Sequence, residues 1–333
     1  MRRRLLGILL AGLGIVPLLL LPACRSLSGP DEAYQERGEK EPWYTFLRPA
    51  KDDPAAQLDY ARSLAAEGHA RRAGRQYRAL AASWPASAEA PVAQRERAEM
   101  LDRRGSISAA FEAYETLARR YPEQVPYGEI VDRQFDLALR QMDRRKWPLL
   151  FGGFRSVADA VPMLRKIVDH APRGEHASRA LLLMARAHEE GGDWEDAAQV
   201  YGEILSAHPS SPEAEAAAYG RANSMARLSA AAPNDMLLAQ DAWMASAAAL
   251  REHPDSPRAE TARLQRAAAY RRLAFTAYEK ALYYDRTARR YDAARLSYET
   301  FLKNYPDSEW GDEVRRRLAA LPPEKGPDEA VAN

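Results

Sequence analysis

One spacing constrains this chain more than its composition does. Six times a residue that closes a helix is followed by proline: Trp84-Pro85, Tyr121-Pro122, Ala171-Pro172, His208-Pro209, His253-Pro254 and Tyr305-Pro306. Twelve residues before each proline stands alanine, at Ala73, Ala110, Ala160, Ala197, Ala242 and Ala294. Eight residues before it stand Tyr77, Tyr114, Leu164, Tyr201, Ser246 and Tyr298. Alanine is common here, at 64 of 333 residues, but chance does not place it in one slot six times out of six. The two slots are four apart, so they share one face of a helix. A small residue there admits a neighbouring helix, and a large one fills the space one turn on. The proline ends the helix, because the residue before it is steered out of the helical region. Gly68, Gly105 and Gly192 mark tight turns upstream, between the two helices of a pair. Ser87, Ser211, Ser256 and Ser308, two residues past proline, are placed to cap the next helix.

The pattern resembles the tetratricopeptide repeat, with its small residue, aromatic and terminal proline in the second helix. Ala61, Ala98 and Ala185 occupy the small slot of the first helix, followed three residues later by Leu64, Leu101 and His188 where an aromatic is usual. The proline intervals of 37, 50, 37, 45 and 52 leave room for longer helices or insertions. The spacing predicts an all-α solenoid of about six repeats plus a closing helix. Helices are expected over 55–67 and 70–83, 88–104 and 107–120, 125–145 and 156–170, 175–190 and 193–206, and 212–229 and 237–251. A long helix follows from 257 to 289, then 291–303 and 309–320. Such repeats bury a continuous core only by stacking on their neighbours. Two insertions interrupt them. Residues 146–155, from Lys146 through Trp147 and Phe151 to Arg155, form either a loop folded on the solenoid or a partner-docking patch. Residues Ala230 to Asp235 form a simple loop between helices.

The first residues belong to an export signal. Arg2, Arg3 and Arg4 precede an uncharged, leucine-rich run from Leu5 to Leu21, and Leu21-Pro22-Ala23-Cys24 closes it. This resembles a bacterial lipobox, whose cysteine is acylated and becomes the mature N-terminus. An uncleaved anchor is the other reading, since 17 apolar residues are just enough to span a bilayer. Cys24 is the only cysteine, so the chain forms no disulfide with itself. Arg25 in place of aspartate favours the outer membrane, by resemblance to lipoprotein sorting signals. The expected organisation is a signal peptide at 1–23, a lipidated tether at 24–53, the solenoid at 54–320 and a disordered tail at 321–333. Trp43, Tyr44 and Phe46 in the tether are expected to dock on the first helices.

From the Arg271-Arg272-Leu273-Ala274 stretch, through Lys280-Ala281-Leu282-Tyr283-Tyr284 and Arg289-Arg290-Tyr291-Asp292-Ala293-Ala294, to Tyr305-Pro306-Asp307-Ser308, the chain resembles the BamD family. Those are outer-membrane lipoproteins of the β-barrel assembly machinery, built from tetratricopeptide repeats. The resemblance covers roughly residues 55–320. It implies a lipid-anchored scaffold on the periplasmic face of the outer membrane, with a barrel-assembly protein and client barrel proteins as partners. Another tetratricopeptide-repeat scaffold, serving a cell-wall or secretion complex, is the alternative.

Charge and motifs narrow the chemistry. With 48 basic and 47 acidic residues, a dedicated nucleic-acid binder is not expected. No phosphate loop, His-Glu-x-x-His or second cysteine stands in the sequence. Of the six histidines, His170 and His176 make a metal pair without a third ligand at regular spacing. The expectation is no catalytic residue, no metal and no cofactor. In the repeat class that the chain resembles, the first helix of each pair lines a groove. On that register Arg62, Arg95, Glu99, Asp102, Arg186 and Glu189 face it, suited to an extended peptide through the donors of arginine and the carboxylates.

Overall fold

The computed structural model describes residues 48–146, 154–155 and 157–323. The signal, Cys24, the aromatic part of the tether, most of the 146–155 insertion and the tail beyond residue 323 lie outside the described residues. Thirteen α-helices are described, arranged as six pairs and a closing helix. The pairs are α1 (Pro54–Ala66) with α2 (Ala70–Ser83), α3 (Glu89–Arg103) with α4 (Ile107–Arg120), and α5 (Tyr127–Asp143) with α6 (Val161–His170). Then come α7 (Ala177–Gly191) with α8 (Trp194–Ala207), α9 (Ala214–Ala231) with α10 (Met236–Glu252), and α11 (Ala259–Leu282) with α12 (Tyr291–Asn304). Helix α13 (Gly311–Ala320) closes the array. This is the all-α solenoid of tetratricopeptide-like pairs that the spacing predicts.

Each slot does the packing expected of it. The six alanines are at most 1% exposed, and Tyr77, Tyr114, Leu164, Tyr201, Ser246 and Tyr298 at most 4%. The residue before each proline leaves the helix with φ between −132° and −135° and ψ between 48° and 65°. Its N–H still donates to the carbonyl four residues back, so the last turn is closed before the chain turns away. Gly68, Gly105 and Gly192 have φ of 79°, 70° and 81°, the left-handed region in which only glycine carries no Cβ penalty.

The serines after proline act differently from the expectation. None caps a helix by its side chain. Each stands at the centre of two linked turns: its N–H donates to the carbonyl before proline, and its own carbonyl accepts from the N–H three residues on. The helices begin two or three residues later, at Glu89, Ala214, Ala259 and Gly311. Ser256 and Ser308 also accept from the N–H two residues on, at 3.2 and 3.3 Å.

A buried glutamine recurs at one slot of the first three pairs and pins the two helices together in the first two. Buried Gln57 on α1 donates to the Gln76 carbonyl and side chain of α2, at 3.3 and 2.7 Å. Buried Gln94 on α3 donates to the Ala113 carbonyl of α4 at 2.9 Å. Gln134 on α5 stands in the same slot, but its side-chain nitrogen is buried without a partner. The α6 side of that pair is altered: Val157–Ala160 form a 3-10 turn, and the α-helix starts only at Val161-Pro162, where proline fits the first turn. The expected helix from 156 is therefore shorter. The insertion adds a two-residue antiparallel ribbon, Arg145–Lys146 with Phe154–Arg155, which joins its two ends.

At the N-terminal edge the chain is pinned ahead of α1. The Ala50 and Lys51 amides donate to the Gln57 side chain at 2.8 and 2.9 Å, and Asp53 caps α1 through the Ala56 N–H at 2.9 Å. At the other end Arg295 donates to the Pro322 carbonyl at 2.7 Å.

The fully buried core residues divide into three clusters, the first two of which share half-buried Leu205 at their margin. One cluster runs from Leu58 on α1 to Ala217 on α9. A second, between α9, α10 and α11, consists of alanines around Tyr219. A third joins α11, α12 and α13 through Ala274, Tyr298, Phe301 and Val314. The second cluster is small because the fifth pair carries Ser246 in the slot that tyrosine or leucine fills elsewhere, so mainly alanines meet there.

The long helix expected over 257–289 also ends sooner. Helix α11 stops at Leu282, and Tyr283–Thr287 form a π-turn, which adds a residue before Arg289.

Candidate groove on the first helices of the pairs

The groove residues named from the sequence all lie on first helices, and three of the six, Arg62, Asp102 and Glu189, are tied to the next pair. Arg62 on α1 meets Glu96 on α3 in a fork, Nη2 at 2.6 Å and Nε at 3.0 and 3.1 Å. Tyr77 of α2 donates to the same carboxylate at 3.1 Å. The Arg62–Glu96 hydrogen bond and the Glu96 charge raise the pKa of the Arg62 guanidinium, and burial beside Glu96 pushes the Tyr77 phenol up to about 12. Asp102 on α3 pairs with Arg140 on α5. Glu99 is 3.8 Å from Arg103 on its own helix. Both carboxylates add to the burial that raises the Tyr114 phenol. Arg95 is half-buried, and no hydrogen bond or ion pair reaches it among the described residues.

Arg186 and Glu189, on α7, are the two that the fold brings to one place. Glu189 accepts from the Tyr201 hydroxyl at 2.9 Å, from Asn223 of α9 at 3.3 Å and from Ser224 at 3.5 Å. Asn223 in turn accepts from Gln265 of α11 at 3.1 Å. One polar chain thus links the fourth, fifth and sixth pairs. It borders a cavity of about 230 Å³ that Arg186, Tyr219, Arg258 and Thr261 also line. Gly220 makes this possible. A Cβ there would stand 2.3 to 2.7 Å from three ring carbons of Tyr201, so the ring lies directly on the α9 backbone. Burial first, then Glu189, raises the Tyr201 phenol, so it stays a donor.

The six residues therefore do not form a single site. Arg62 belongs to the α1–α3 junction, Asp102 to α3–α5, and Arg186 with Glu189 to the α7–α9–α11 junction, while Glu99 pairs within α3 and Arg95 has no bonded partner among the described residues. The ladder partners Glu96, Arg140, Asn223 and Gln265 were missed. Their signal is separation: 34 residues between Arg62 and Glu96 and between Glu189 and Asn223, 38 between Asp102 and Arg140, 42 between Asn223 and Gln265. A second cavity, of about 580 Å³, lies against α11 and is lined by Ala267, Ala268, Arg271, Arg272, Phe275 and Trp310. Arg272 reaches back from it to the carbonyl and hydroxyl of Ser229, near the C-terminus of α9, where a cation is favoured.

The histidines have local explanations. His176 is 2.8 Å from Asp132 and stacks on Phe135 with ring centroids 4.4 Å apart. The His170 carbonyl accepts from Tyr127 at 3.0 Å. His188, Asp193 and Asp196 place one donor atom each within 4.8 Å of one another, a grouping that the spacing did not suggest. The acids stand at the N-terminus of α8 and the histidine at the C-terminus of α7, so the two helix ends account for their placing.

A family model described as "Outer membrane lipoprotein", YfiO, matches residues 154–322, just over half of the chain and nearly all of it from the ribbon's second strand to α13. The chain belongs to the YfiO family of outer membrane lipoproteins. That is the BamD family which the C-terminal block resembles. No curated protein matches the sequence. Among solved structures, the chain is similar to a tetratricopeptide repeat protein from Parabacteroides merdae at 12% identity, over 80% of this chain and 97% of that one, with a TM-score of 0.28. It is similar to MamA from Desulfovibrio magneticus at 14% identity, over 62% and 99%, with a TM-score of 0.26. At these scores neither bears on the function of this family member.

Proposed function

We propose that this protein is a lipid-anchored periplasmic scaffold of the machinery that assembles outer-membrane β-barrel proteins. On this reading the first helices of the pairs hold segments of a barrel-assembly partner and of client polypeptides. The carrying observation is the family match over residues 154–322, on a solenoid whose first helices bear a polar ladder.

An extended peptide brings unpaired N–H and C=O groups, each of which must find a partner when it leaves water. Asn223, Gln265 and Arg186 offer both kinds around the α7–α9–α11 cavity. The exposed ion pairs of the ladder are each worth only about 0–1 kcal/mol, so a ligand displaces them at small cost. The burial of the alanine and tyrosine slots, not the ladder, keeps the pairs stacked. The groove is thereby free to exchange partners without loosening the fold.

Depletion of the protein is expected to lower the level of outer-membrane barrels, with a barrel-assembly protein co-purifying. Crosslinkers placed at Arg186 and Asn223 should capture polypeptide from that partner or from clients. Normal barrel levels on depletion, with cell-wall or secretion components dominating the pull-down, would overturn the assignment. For the anchor, Cys24→Ser should release the protein from membranes or block its processing. Unchanged attachment at unchanged mass sinks the lipid reading.

A further inference from the structure

The turn between α11 and α12 breaks the rule that the other turns obey. In the first, second and fourth pairs, the residue five before the slot alanine is a left-handed glycine: Gly68, Gly105 and Gly192. In the sixth pair that position is Arg289, held at φ 52°, the sole positive-φ residue other than glycine among the described residues. Glycine or asparagine is the less strained choice there. The fold keeps the backbone turn and places an exposed cation in it. Strain of this kind is retained where the side chain has a use.

The surroundings share its character. Lys280, Arg286, Arg289 and Arg290 are all exposed, and no ion pair reaches them among the described residues. Asp285, the acid of the π-turn, points the other way. It is 18% exposed, accepts from Tyr298 at 3.0 Å and lies 3.5 Å from Arg317. The exposed acids on either side are Glu279 and Asp292. Tyr283 is 56% exposed and Tyr291 38%, flanking the cations. Over residues 259–290 there are eight basic and three acidic side chains, in a chain that is otherwise nearly balanced.

Exposed tyrosines beside unpaired cations suit the boundary between water and an anionic lipid leaflet. Tyrosine prefers that depth, and cations near such a surface are held by its negative potential. We infer that this turn is a second membrane-contacting site, which seats on anionic phospholipid headgroups. It is independent of which machinery the scaffold serves. The turn lies in the sixth pair, at the far end of the repeat order from α1.

The test uses residues 25–333, which include all three core clusters and carry no acyl chain, in flotation with two vesicle compositions. The protein should float with phosphatidylcholine vesicles holding about 30% phosphatidylglycerol and not with pure phosphatidylcholine. Binding should fall as salt rises from about 0.05 to 0.5 M, where screening shortens from roughly 14 to 4 Å. Replacing Lys280, Arg286, Arg289 and Arg290 by glutamine should weaken binding at least tenfold with unchanged circular dichroism, since each cation counts for roughly fivefold. Replacing the three arginines by lysine should preserve it. Equal binding to both vesicles, or no loss in a folded glutamine variant, overturns the inference. So does loss of binding in a folded lysine variant. If the wild-type chain ignores vesicles while the glutamine variant loses an acidic polypeptide from its pull-down, the turn is a protein interface instead.

Discussion

Gly220→Ala is expected to destabilise the protein, against the usual sign for such a change. In the middle of a helix, alanine is more favourable than glycine by about 0.5–1 kcal/mol. Gly220 lies within α9, so helix propensity alone predicts a gain. The new Cβ would meet the Tyr201 ring at 2.3 Å, and the ring is only 2% exposed, so it has to shift within its packed surroundings. Forcing extra volume into a packed core costs about 1–3 kcal/mol. Moving the ring also loosens the 2.9 Å bond to the Glu189 carboxylate, and hydrogen bonds to charged groups contribute about 1.5–3 kcal/mol. The net loss is roughly 2–4 kcal/mol. Guanidinium unfolding followed by circular dichroism should show an earlier midpoint, and hydrogen exchange should place the loss in α8 and α9. In a Tyr201→Ala background the clash is gone, and Gly220→Ala should become neutral or stabilising by up to about 1 kcal/mol. The reasoning fails if the single change stabilises the wild-type chain, or if its effect is the same in both backgrounds.

Three further outcomes follow from the same geometry. The raised Tyr77 phenol makes the fold sensitive to alkali: stability is fully present below pH 10 and is lost as pH rises towards 12, by about 2–3 kcal/mol from this residue. Tyr77→Phe should flatten the alkaline limb, and at pH 7 it should cost only the hydrogen bond to Glu96, as read by denaturant midpoints across pH. Arg289→Gly should stabilise by about 1 kcal/mol, since it restores the residue that φ 52° favours; a lower midpoint would contradict the strain. A double-mutant cycle on Arg62 and Glu96 should return a coupling of under about 1 kcal/mol, because the pair is partly exposed; a value above 3 would mean that the ladder holds the pairs together.

What the sequence determined by itself is what depends on near neighbours. The alanine and aromatic slots share a face because they are four apart. The helix ends follow from proline, and the turns at Gly68, Gly105 and Gly192 from a backbone that other residues resist. Those rules act over a few residues, so counting along the chain recovers the pairs and their order. Even Arg289 was open to counting, five residues before Ala294, although an arginine does not advertise a left-handed turn as glycine does. The tertiary structure alone decided what lies across pairs. Glu96 answers Arg62, Asn223 links Glu189 to Gln265, and Tyr201 lies on Gly220, each from 19 to 42 residues away. It also decided that Gln134 lacks the carbonyl that Gln94 finds, and that the fully buried core divides along α9 and again along α11. The register between pairs is set by packing, and insertions and a π-turn shift it by amounts that no local rule supplies. The slots recur because each pair needs them to fold; the partners differ because each junction packs in its own way.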